Sequence, residues 1–374
     1  MLSLVQKGKI LLGVLLAFGS YQVMSEVMVR TLTGDEARVR NFYLEEENSL
    51  DMVIVGASTA YTDYSAPLAW KEFGITSYSL ATNSAPMGLA KSMLKEVRKY
   101  QNPKVILIDI NGILYDDAGE TNENNIRRWI DNMKFSKNKI DTINELIPTE
   151  QRMNYFVPLM KYHARWKDIG ECLEAFNIER ENKKDPSHLV VLGDEGMSGM
   201  VAQHPIKDVT NYRQKTVMYQ KSGESLIALL DYCKTENLKN IVFTNMPRFY
   251  SSTKMIQEKE RFNEAKEKIA EYGYPCIDLD DYVKEIGLDP ETDFYNANHL
   301  NVYGQRKNTR FLIQKLMETY DLTSTHNETV TKRWNEEYRA YEKVQAWVEN
   351  KIKAGKSEHY TFMKINKIIH DEME

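Results

Sequence analysis

The sequence predicts an α/β fold, a three-layer sandwich with a flavodoxin-like parallel sheet of about five strands. Short β-branched runs recur along the chain, most clearly Met52-Val53-Ile54-Val55 and Lys104 to Asp109. Segments with apolar residues at helical spacing alternate with them, as in Leu89, Met93, Leu94 and Val97. The strand runs are apolar throughout rather than on every second residue, the mark of a parallel sheet covered on both faces.

The elements follow in order. Lys7 and Lys9 precede an apolar run from Ile10 to Phe18, which continues more weakly through Tyr21, Val23, Met24, Val27 and Met28. From Leu2 to Met28 the length suffices for the roughly 20 residues of a spanning helix. A cleaved secretory signal and a buried core helix compete with this reading. No small-x-small cleavage site is evident after the run, so residues 1–30 are read as a signal anchor. With the two lysines inside, the rest of the chain lies outside the cytoplasm. Residues 31–48 are polar and acidic and read as a stalk.

The α/β domain is expected over 49–322. Its strands fall at 52–55, 75–80, 104–109, 241–244 and 275–279, each bounded by turn residues. Helices are expected past Pro67 to Phe73, over Met87 to Tyr100, and at about 222–236 and 255–272. The connection between the third and fourth strands far exceeds a simple crossover. It reads as an insertion over about 115–220, helical at 124–170 and irregular at 180–215, capping the sheet edge that carries the site. Residues 323–374 form a helical tail with a helix near Trp334–Ile352. Its aromatics, Trp334, Tyr338, Tyr341 and Trp347, suit packing on the domain or docking of a partner.

The chain has 374 residues, 42% hydrophobic and 28% charged, with a net charge of -5. Basic and acidic residues are interspersed, which excludes a phosphate-tracking face for nucleic acid. Cys172, Cys233 and Cys276 lie far apart without metal spacing and read as reduced thiols. The histidines form no ligand cluster, so neither a metal nor another cofactor is expected.

In open parallel sheets chemistry sits at the carboxyl ends of the strands. Ser58 is there, after Gly56 and Ala57 at the end of the first strand. His299 lies in a polar loop after the fifth strand, Asp293-Phe294-Tyr295-Asn296-Ala297-Asn298-His299-Leu300-Asn301, which leads to a helix near Gly304. The two therefore share one sheet edge. A neutral imidazole can take the proton of a hydroxyl and make it a nucleophile, and a third group that orients the imidazole improves the base.

A serine after the first strand and a late Asn298-His299-Leu300-Asn301 block with Gly304 resemble the SGNH (GDSL) hydrolase superfamily. Within it the chain looks like the membrane-anchored branch of DltD and AlgJ, which works beside membrane-bound O-acyltransferases (MBOAT). The resemblance covers roughly residues 50–320, with the anchor matching in arrangement. Gly56-Ala57-Ser58 is a looser form of the family's Gly-Asp-Ser, and Asn296 stands where the family has an acid. The resemblance leaves two partners open for His299, Asn296 and Asp293. It implies oxyanion donors after the second and third strands, where this chain has Asn83 and Asn111. Arg248, after the fourth strand, is a further candidate at the edge, and His163 with Arg165 in the insertion is a candidate site for a sugar or an anionic carrier.

The resemblance implies an O-acyltransferase carrying acetyl or D-alanyl on Ser58, with an MBOAT partner and a cell-surface polysaccharide or teichoic acid as acceptor. A carbohydrate esterase using the same residues and a non-catalytic assembly factor are the alternatives.

Overall fold

Five parallel strands make up the central sheet of the computed structural model, which describes residues 3–193, 199–356 and 361–370. The strands are β1 (Met52–Gly56), β2 (Ser77–Ala81), β3 (Val105–Asp109), β4 (Ile241–Asn245) and β5 (Cys276–Asp278). Their order is β2-β1-β3-β4-β5, with Met52 opposite both Ser77 and Val105, Leu107 opposite Val242, and Thr244 opposite Ile277. Every residue of β1, β3 and β4 is buried, as expected of strands with helices on both faces. The three-layer α/β sandwich predicted from the sequence is the fold.

The helices used below are α1 (Leu4–Val29), α2 (Gly34–Phe42), α3 (Thr59–Thr62), α4 (Ala66–Phe73), α5 (Ala90–Tyr100), α6 (Ile169–Lys184), α7 (Leu189–Leu192), α8 (Gln220–Thr235), α9 (Thr253–Glu271), α10 (Val302–Met317), α11 (Glu328–Lys353) and α12 (Phe362–Ile369). Helix α1 is long and apolar enough to cross a membrane, and most of its apolar side chains face outward. Only its last turn, from Ser25 onward, is largely covered.

Residues 31–48 are not the stalk their polarity suggested. They contain α2, which is buried and packs on β2 and α7. Its charges are satisfied internally: the buried Arg38 donates to Asp35, to Ala81 O (3.0 Å) and to Gly193 O (2.6 Å). Charged residues paired in this way look like a solvated face in a sequence and behave as core in the fold.

The insertion divides. Around 123–130, Arg128 reaches the sheet edge by donating to Asn83 O (3.1 Å). The segments around 159–184 turn instead to α1, which packs on them. The irregular part runs beside the histidine segment, with Val201 N donating to Phe294 O (2.9 Å) and Ile206 N to Tyr250 O (3.0 Å). The tail helix α11 packs on α4, α7 and α10 and buries Trp334 completely. Packing on its own domain is thus the place of Trp334 and of Tyr341, which is also buried.

Candidate active site

The end of β1 requires a glycine. Gly56 has φ +155°, and a Cβ there would lie 2.7 Å from Asp109 Cβ on the neighbouring strand. Ser58 follows in helical conformation as the residue before α3, with its carbonyl accepting from Thr62 N (3.0 Å) and Thr62 Oγ1 (3.0 Å). The serine is thereby held on a tight strand-to-helix turn.

His299 arrives on a short antiparallel ladder, β6 (Phe294–Asn296) and β7 (His299–Leu300), rather than on an open loop. Asn296 and His299 are direct cross-strand partners, so a spacing of three places both side chains together. His299 Nε2 lies 2.9 Å from Ser58 Oγ, and Nδ1 lies 3.1 Å from Asn296 Oδ1.

The hydrogen bonds fix the tautomer. Asn298 N, which can only donate, reaches Asn296 Oδ1 at 2.8 Å and so identifies that atom as the oxygen. The same oxygen can accept from His299 only if Nδ1 carries the proton. In the neutral ring Nε2 then holds a lone pair facing the Ser58 hydroxyl, the state a general base needs.

Asp293 is not the partner of the imidazole. Its carboxylate accepts from Lys307 Nζ (2.7 Å) and Asp289 N (2.7 Å) at the base of the ladder. The rest of the motif fastens the ladder to α10. Asn301 accepts from Tyr303 N (3.0 Å) and donates to Thr292 O (2.7 Å). A Cβ on Gly304 would lie 2.3 Å from Asp293 O, so the helix can approach this closely only with glycine.

Sequence reasoning missed the residues that join the serine turn to the histidine ladder. Asp63 accepts from Leu300 N (3.0 Å), the residue after His299, and from Thr62 Oγ1 (2.8 Å). From α10, Asn308 donates to Asp63 O (2.8 Å) and Gln305 to Thr62 O (3.0 Å), while Thr309 Oγ1 accepts from Ser65 N (3.0 Å). Gln305, Asn308 and Thr309 share a helical face with apolar Leu312, and a buried polar stripe at that spacing was the available signal. Asp63 is wholly enclosed, and burial pushes its carboxyl up to about 8.

On the other side, Asp109 accepts from Thr59 Oγ1 (2.6 Å), next to Ser58, and from Asn111 N (3.2 Å). Burial raises its carboxyl to about 6. It acts as a structural acceptor that ties the Ser58 turn to β3. Arg248 donates to Asn111 Oδ1. A guanidinium has no acceptor, so this contact orients the amide and leaves its Nδ2 to face elsewhere. Arg248 is itself fixed, with its backbone N donating to Asp280 Oδ1 (2.9 Å). The other oxygen of Asp280 accepts from Lys259 Nζ (2.9 Å) and Asn245 Nδ2 (2.7 Å) in the core. Asn83 is tied into a neighbouring network, its backbone N donating to Asp35 Oδ1 (2.7 Å).

His163 and Arg165 do not belong to this edge. His163 is exposed with Nδ1 at 3.0 Å from Met160 O, and Arg165 donates to Met28 O (2.9 Å) and to Arg30 O. Arg165 thus caps the carbonyls at the end of α1, a role its local sequence could not distinguish from anion binding.

No family model matches the chain, and no curated protein is detectably similar to it.

Proposed function

We propose that the chain is a membrane-tethered serine O-acyltransferase of the SGNH type, working outside the cytoplasm with an MBOAT partner. The observation that carries this is the Ser58–His299–Asn296 relay, with a hydroxyl at 2.9 Å from an imidazole nitrogen whose tautomer the neighbouring amide sets. The resemblance of the Ser58 and His299 segments to the SGNH blocks supports the same reading.

In the first half-reaction Ser58 Oγ attacks the carbonyl of an acetyl or D-alanyl donor as Nε2 of His299 takes the hydroxyl proton. The proton passes to the leaving group, and an acyl ester remains on Ser58. The Nδ2 of Asn111 is the donor proposed for the developing oxyanion, held in direction by Arg248. In the second half-reaction a hydroxyl of a surface polysaccharide or teichoic acid gives its proton to Nε2 and attacks the ester. Ser58 Oγ leaves and regains the proton. The hydrogen bond from Asn83 to Asp35, six residues beyond the end of α1, favours a site on the side of the domain where the chain leaves the membrane.

The test uses the full chain in detergent, wild type and Ser58→Ala, with p-nitrophenyl acetate. A mass increase of one acetyl group, absent from Ser58→Ala, supports the nucleophile. Transfer of that group to added oligosaccharide supports the transferase, and release to water alone supports the esterase. Equal nitrophenol release by both proteins, with no adduct, would leave an assembly factor as the better reading.

A further inference from the structure

We propose that the insertion forms a lipid seat, a surface that rests in the bilayer interface around the root of α1. This rests on α1 spanning a membrane and is independent of any chemistry at Ser58.

Three features point to lipid as the occupant. First, the large exposed apolar side chains outside α1 include two groups, one over 200–217, with Val217 83% exposed, and one over 135–173, in the part of the insertion that meets α1. Phe135 is 79% exposed, Trp166 62%, Met153 56% and Met160 53%, with Ile169 and Leu173 also exposed. Second, that stretch is continuous with the apolar surface of the anchor. The helical turn at Leu159–Tyr162 and α6 both pack on α1, and Arg165, beside Trp166, binds the carbonyls at its end. Arg30 at the end of α1 stacks over Phe176 of α6 and pairs with Glu179. Third, the composition is that of an interface. Trp166 is flanked by Arg165 and Lys167, and Met160 by Lys161, the pattern of aromatic and basic residues found where apolar surface meets headgroups.

A groove of about 580 Å³ runs between α1 and the insertion, from Phe18 and Tyr21 on the helix to Phe135, Tyr155 and Phe156 opposite. Its lining is largely apolar, with Glu26, Asp131 and Lys139 as its charged members, and its α1 wall, Phe18 to Val29, is where an acyl chain of the surrounding lipid would lie. The Tyr21 hydroxyl is buried there without a hydrogen-bond partner among the described residues, in position to donate to a lipid ester carbonyl. Phe18 lies 11 residues before Val29, about 16 Å along the helix at 1.5 Å per residue, so the groove extends below the headgroup level. A soluble protein rarely leaves such a set of aromatic and methionine side chains together in water.

The full chain would be reconstituted in phosphatidylcholine–phosphatidylglycerol vesicles, with and without acyl-chain-brominated phosphatidylcholine. Trp166 fluorescence is isolated as the difference between wild type and Trp166→Phe, a change that leaves the fold undisturbed. Carbonate extraction of the same vesicles reports separately on α1. The proposal expects resistance to extraction and at least a twofold loss of the Trp166 signal in brominated lipid. A chain that resists extraction while Trp166 is unaffected by bromine overturns the seat and leaves the anchor, with a membrane protein then the better partner for this surface. A chain released by carbonate overturns both. Loss of activity in the Ser58→Ala protein bears on neither result, so the two proposals fail separately.

Discussion

The Oδ1 of Asn296 accepts from two donors, and this is why an amide can stand where a carboxylate orients the histidine in comparable relays. It sets the tautomer but supplies no countercharge for the imidazolium. Asn296→Ala is expected to lower Ser58-dependent nitrophenol release by about 10²-fold, the lower range for losing general-base assistance. Asn296→Asp should raise release above wild type, measured by the same initial rates. Asn111→Ala should lower kcat by about 10²-fold, as for removal of one oxyanion donor, with KM little changed. Arg248→Ala should act in the same direction by freeing the Asn111 amide. Asp63 titrates in the opposite sense from a paired carboxylate. Its folded-state value, about 8, lies above the ordinary range because burial disfavours the anion. Its contribution to stability is full below the unfolded value and declines as pH rises through about 8. Wild-type Tm should therefore fall between pH 5 and pH 9 relative to Asp63→Asn, which keeps the acceptor for Leu300 N and has no charge to bury.

At the scale of elements, the relay depends on α10 holding two segments that are far apart in the chain. The helix donates to the backbone after Ser58 through Gln305 and Asn308, and packs against the histidine ladder through Gly304. Asn308→Ala leaves Asp63 O without that donor and should cost about 1–3 kcal/mol of stability, read by denaturant unfolding. Gly304→Ala must move either the ladder or the helix, because the added Cβ meets backbone. It is expected to reduce nitrophenol release more than it reduces helical content by circular dichroism. The tail contributes through packing: Trp334 is fully buried against the domain, near Trp70 with ring centroids 5.9 Å apart. Trp334→Ala should cost about 3–5 kcal/mol, the usual loss for deleting a buried aromatic.

For the whole molecule, α1 and the domain are joined by ion pairs. Arg30, at the end of α1, is buried and pairs with Glu36 of α2 and Glu179 of α6. A chain that begins at residue 25 keeps these pairs, while one that begins at residue 31 loses them and leaves Glu36 to Arg40 and Glu179 to Arg40 and Lys183. The longer form should be the more stable by about 1.5–3 kcal/mol, the scale for losing hydrogen bonds between charged groups, and thermal unfolding of both truncations measures it. These pairs join the end of α1 to α2 and α6, close in sequence to Asp35, which accepts from Asn83 N just past the end of β2.

Local patterns were sufficient for much of this. The five strands, the alternation with helices, the apolar N-terminal helix, Ser58 at the end of β1 and His299 before α10 are all legible, because each depends on contiguous periodicity or on a turn signal beside an element. The tertiary structure alone decided between Asn296 and Asp293, since cross-strand pairing and the competing bond from Lys307 select the partner. It also turned the acidic segment after α1 into buried helix, moved Arg165 from a ligand site to a helix cap, and introduced Asp63 as the link between serine and histidine. In each of these cases the deciding partner lies dozens to hundreds of residues away or is set by strand register. A charged or polar side chain reads alike in sequence whether water or a buried partner satisfies it.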